Sequence, residues 1–136
     1  WSSDVCSSDL PTKAAEVGYE FDLTMPDGTI TDIKIKVRGS LSKVVKDFYR
    51  NAFSQMQVKE QAAKKRGKEP EPMSLQESED FAIQSSALRV ISWSGIVEDG
   101  KEVPYSKDEC IRLMTDYPFI REAVIAESEQ LLNFRT

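Results

Sequence analysis

Apolar and polar residues alternate from Tyr19 onward: Tyr19, Phe21 and Leu23 are separated by Glu20 and Asp22. A turn cluster, Pro26-Asp27-Gly28, follows, and Ile33, Ile35 and Val37 then alternate with Lys34, Lys36 and Arg38. A period of two on both sides of a turn predicts a β-hairpin with one apolar face. Antiparallel pairing would set the acids of the first strand opposite the bases of the second, which helps to fix register.

After Gly39 the period changes to that of a helix. Leu41, Val44, Val45, Phe48, Ala52 and Met56 recur at helical spacing, with Ser40 or Ser42 as the cap, and the pattern fades near Ala63. Phe48, Tyr49 and Phe53 cover more than one face, so Phe48 is assigned to the core and Tyr49 or Phe53 to contact with another subunit. Residues 64–74, KKRGKEPEPMS, combine charge, glycine and a repeated Glu-Pro, and predict a mobile loop. Ser74 with Glu77 is a capping box for a second helix, carrying Phe81, Leu88 and Ile91 and ending near Trp93. Val97 and Val103 flank an Asp99-Gly100 turn, which predicts a small hairpin. Ser106 with Glu109 caps a third helix with Ile111, Leu113 and Met114. Pro118 stops it and suits the first turn of a fourth, running to about Phe134 and burying Ile120 or Phe119, Val124, Leu131 and Leu132. The fold class expected is α+β: an N-terminal β-hairpin packed on a bundle of about four α-helices.

At 136 residues, 40% hydrophobic and 30% charged, the chain is large enough for one core and too small for a core plus a cofactor domain. The net charge of -5 argues against general polyanion binding, despite the local run Lys64-Lys65-Arg66-Gly67-Lys68, so no nucleic acid is expected as a partner. No apolar run approaches the roughly 20 residues that span a bilayer, so no membrane association is expected either. Two cysteines, Cys6 and Cys110, form no framework, which fits a reduced, cytoplasmic setting. Residues 1–10, WSSDVCSSDL, repeat Ser-Ser-Asp and begin without methionine. They resemble translated sequencing-adapter read-through and are set aside as a non-native leader, which makes Cys6 non-native and leaves residues 11–136 as a single domain.

The absence of histidine removes the usual general base, the commonest zinc ligand and every Ser-His or Cys-His pair. No phosphate-binding glycine loop, dinucleotide fingerprint or cysteine cluster is present. Asp27, Thr29 and Asp32 lack the spacing of a calcium loop, and the acids of Glu77–Asp80 suit the dipole at a helix start. No enzymatic activity, cofactor or metal is therefore expected. The aromatic stretch VISWSGIVEDGKEVPYS, residues 90–106, offers a surface instead. Trp93 and Gly95 read as a structural corner between helices, and Ile96, Tyr105, Tyr117 and Phe119 as the border of a partner-binding surface.

The same region carries a family resemblance. Trp93, Asp99-Gly100, Pro104-Tyr105-Ser106, Tyr117-Pro118 and Asn133-Phe134 follow one another in an order and spacing that resemble the C-terminal half of tail assembly chaperones of tailed bacteriophages. The resemblance implies that residues 11–136 are one tail-assembly-chaperone-like domain, from which the charged loop at 64–74 is a departure. It also implies a non-enzymatic factor that binds the tape measure protein and keeps it soluble until the tail tube forms around it. Members of that family also occur in a longer, frameshifted form that recruits the tail tube protein, which makes the tube protein a second expected partner. Self-association into a homo-oligomer is expected as well. The rival expectation is a structural virion protein, a tail or head-tail connector subunit.

Overall fold

The computed structural model describes residues 12–134, so the reading of residues 1–10 as a leader, and Cys6 with it, lies outside the described residues. A short helix α1 (Thr12–Val17) leads into strands β1 (Tyr19–Thr24) and β2 (Ile30–Val37). These pair antiparallel, with Glu20 opposite Lys36 and Asp22 opposite Lys34, as the charge alternation predicts. Lys34 and Asp22 meet at 2.8 Å on the solvent face. The inward residues Phe21, Leu23, Ile35 and Val37 are buried. The turn closes where the Met25 amide donates to the Thr29 carbonyl and the Thr29 amide donates to the Asp27 carboxylate.

Helix α2 (Lys43–Lys65) follows, then α3 (Leu75–Ala87), strand β3 (Val90–Ser94), the two-residue strands β4 (Val97–Glu98) and β5 (Lys101–Glu102), α4 (Lys107–Asp116), α5 (Pro118–Glu129) and a 3-10 turn, Leu131–Phe134. The main sheet has the order β1-β2-β3, and β4 and β5 form a separate small hairpin. Helices α3, α4 and α5 pack on one another, and α5 lies against β1 and β2. The fold is α+β, an N-terminal hairpin followed by four long helices, as expected. Ile83, Leu113, Met114, Ile120 and Val124 from the helices meet the apolar sheet face in one core. Each such side chain contributes about 1.5–3 kcal/mol by leaving water.

Four expectations are corrected. The second helix does not reach Trp93: it stops at Ala87, and residues 90–94 form the third strand of the sheet. The hairpin edge of β2 needs partners for its amides and carbonyls, and the Val-Ile-Ser-Trp run supplies them, with Ile35 opposite Trp93. Ser42 occupies the N-cap position of α2, but its side chain makes no capping bond; the Lys43 amide donates instead to the Glu16 carboxylate at 3.0 Å. The last helix breaks at Gln130, and Leu131 and Leu132 are exposed, while Phe134 returns to the core beside Tyr19. Finally, Met56 of the apolar stripe of α2 is not buried; within the whole of α2 only Val45 and Ala63 are.

Candidate partner-binding site

Helix α2 has 23 residues, about 35 Å of length, and its first turns carry the aromatic contacts to α3. Phe48 stacks on Phe81 of α3 with ring centroids 5.1 Å apart, and Tyr49 meets the same ring edge-on at 5.8 Å. Lys59 reaches Glu77 at 3.6 Å, so α2 and α3 run antiparallel as a helical hairpin closed by the 66–74 segment. The Ser74 capping box is formed in both directions and starts α3 cleanly.

The outer side of this arm is apolar and uncovered. Tyr49, Ala52, Phe53 and Met56 fall on one stripe of α2, and with Met73 and Phe81 they line a groove of about 820 Å³. Phe53 is 60% exposed, Met56 55% and Met73 52%. A stripe at positions i, i+4 and i+7 is the seam by which a helix ordinarily joins a core, and here none of the described residues fills it.

Behind the groove sits Arg89, only 1% exposed. Its Nε donates to Ser128 Oγ at 3.0 Å, one terminal nitrogen donates to Ser85 Oγ at 2.9 Å, and the other reaches the Tyr49 hydroxyl at 3.4 Å. The guanidinium also lies over the Tyr49 ring, 5.7 Å from its centroid. Ser128 Oγ in turn donates to the Arg38 carbonyl at 2.7 Å. One buried side chain thus ties α2, α3 and α5 to the end of β2. Burial alone would raise the Tyr49 phenol, but the bonds to Ser85 and Arg89 and the charge of Arg89 outweigh it and hold the hydroxyl below its usual range.

The residues singled out from the sequence lie elsewhere. Ile96 is 5% exposed in the main core, so in this fold it offers no surface to a partner. Trp93 lies on β3 rather than between two helices; its Nε1 donates to the Val103 carbonyl at 2.8 Å and latches the base of the small hairpin. Gly95 makes the turn into that hairpin at φ 81°, and a Cβ there would stand 2.5 Å from the Asp32 carbonyl oxygen. Tyr105 packs edge-on against Trp93, and Tyr117 against Phe119, as two separate aromatic pairs. The Tyr117 hydroxyl donates to Glu98 at 3.0 Å, and Arg112 bridges Glu98 to Glu109. Tyr105 is exposed at its edge, while Tyr117 and Phe119 are half-buried at the α4–α5 corner.

The YdaY prophage protein family model matches residues 44–136. The chain belongs to that family. The matched span begins at the second residue of α2, so the arm, its groove and the Arg89 hub all fall within the YdaY unit, and the β1–β2 hairpin precedes it. Membership makes this a phage-derived protein. No curated protein and no solved structure matches it. Among the described residues of this YdaY member, no three His, Cys, Asp or Glu side chains gather as a metal site. Burial pushes the Cys110 thiol up to about 12, so it stays protonated at neutral pH and serves as a small core residue. No helix among the described residues is long and apolar enough to cross a membrane.

Proposed function

We propose that this prophage protein is a tail assembly chaperone that binds the tape measure protein and keeps it soluble in the host cytoplasm while the tail tube assembles. The observation that carries this reading is the open apolar groove on the α2–α3 arm, lined by Tyr49, Phe53, Met56, Met73 and Phe81. A holding protein needs exposed apolar contacts of moderate size that a helix can enter and leave, and an amphipathic helix laid in a groove between two helices meets that need. Methionine suits such a surface because its flexible thioether adapts to differing partner side chains. Membership of a prophage family is consistent with a phage role, and the resemblance of the Trp93–Phe134 region to tail assembly chaperones is what suggests this partner. Several copies bound along one long helical protein would act by avidity rather than by one tight site.

Co-expression with the long helical protein encoded beside the gene tests this directly. The partner is expected in the soluble fraction, co-eluting with this protein on size exclusion, and the protein is expected to be missing from purified virions by mass spectrometry. A partner that stays insoluble, with this protein present in the particle, would make it a structural virion subunit instead.

A further inference from the structure

We infer that the segment received by the groove is an acidic amphipathic helix, its apolar stripe flanked by Asp or Glu; this rests on the reading of the groove as a partner site and adds the chemistry of what enters it. The shape argues for a helix. Apart from Met73 the lining comes from α2 and α3, whose backbone groups are bonded within each helix, so these walls offer an extended strand no edge to pair with. The wall from Tyr49 to Lys59 runs for about 15 Å, enough for about three turns of a partner.

The charge argues for carboxylates. Arg50 and Lys59 line the groove and no acid does. The asymmetry belongs to α2 and the residues just after it: between Lys43 and Lys68 stand eight Lys or Arg, of 18 in the chain, against two carboxylates, Asp47 and Glu60, whereas the acids of the arm, Glu69, Glu71, Glu77, Glu79 and Asp80, lie beyond, in the loop and α3. The α2 wall of the groove is therefore its basic side, and Arg50 and Lys59 are the charges that border the open apolar surface. Arg50 does meet Asp47 at 3.2 Å, and Lys59 meets Glu77 at 3.6 Å. Both pairs are solvent-exposed, of a kind that contributes between nothing and about 1 kcal/mol, so a partner's carboxylates can share these cations at little cost. The groove floor of Ala52, Phe53 and Met56 is what separates this from a nucleic-acid surface, which would carry its cations along the floor.

The test uses the full chain and two fluorescein-labelled helical peptides, each with leucines on one face, one flanked by glutamates and the other by lysines. Fluorescence anisotropy at low salt is expected to show the glutamate peptide binding about tenfold more tightly, with the gap closing at high salt. Arg50→Glu together with Lys59→Glu is expected to invert the preference, and Phe53→Ser with Met56→Ser to abolish binding of both, with circular dichroism unchanged in each variant. Equal binding of the two peptides, or a preference that survives charge reversal, overturns the inference. So does a single-stranded oligonucleotide that displaces the glutamate peptide and binds the Phe53→Ser variant as well as the parent. The two readings fail separately. A glutamate peptide that binds while the co-expressed partner stays insoluble leaves the groove chemistry standing and removes the chaperone role. A partner solubilised equally by the charge-reversed protein does the reverse.

Discussion

Arg89 and Gly95 do the most at single positions, in opposite ways. Arg89 spends a charged side chain in the interior, where only hydrogen bonds to Ser85, Ser128 and Tyr49 and the face of the Tyr49 ring compensate it. Arg89→Ala is expected to cost about 3 kcal/mol in urea unfolding, because it strips the arm's attachment and opens a void together. Tyr49→Phe removes one hydroxyl of the same network and is expected to cost about 1 kcal/mol, with the double variant losing less than the sum. Gly95 acts through its backbone. Gly95→Ala must hold alanine at positive φ and push against the backbone of Asp32, and is expected to lower stability by at least about 1–3 kcal/mol, read as a drop in Tm. The position of Gly95 at a corner could be read from the sequence. The role of Arg89 could not, since an arginine following Leu88 has the same local pattern whether it faces water or three neutral hydroxyls.

Elements differ in how far local pattern determined them. The β1–β2 hairpin carries its own register in alternating charge, and both serine caps announced the helices they start, so these were legible from the chain. Strand β3 was not, because Phe81, Leu88 and Ile91 also fit a helical stripe, and the choice is made by the open edge of β2, a tertiary fact. The small hairpin shows a dependence that is measurable. Glu98 on β4 is held below the usual carboxylate range, first by its bonds with Arg112 and then by that from Tyr117. A depressed carboxylate stabilises fully above its unfolded value and loses that contribution as pH falls through its folded value. Thermal unfolding followed into acid should therefore show a decline that Glu98→Gln flattens, with the variant already less stable at neutral pH. A parallel decline in both proteins would remove Glu98 from the account. The same hydrogen bonds explain why Tyr117, which reads as a contact residue in the sequence, is held inward.

Across the whole molecule, the described residues divide into a body with a closed core and an arm whose basic helix, α2, carries an apolar stripe that closes on nothing. The stripe read from the sequence, Leu41 to Met56 through Phe48 and Ala52, centres on a different face of α2; only the surplus of aromatics, with Tyr49 or Phe53 assigned to contact with another subunit, pointed to this one. That Met73 joins it from the loop depends on the packing of α2 against α3. Phe53→Ser should leave stability within about 0.5 kcal/mol, since the side chain is already in water, while removing partner binding. The four methionines allow the groove to be tested at once: Met56 and Met73 line it, Met25 is exposed away from it, and Met114 is buried in the core. Hydrogen peroxide footprinting of the free protein and of its complex with the co-expressed partner, read by peptide mass spectrometry, compares them in one sample. Met56 and Met73 are expected to oxidise readily when free and to be protected in the complex, while Met25 reacts alike in both and Met114 in neither. Unchanged oxidation of Met56 and Met73 in a complex that stays intact would contradict it.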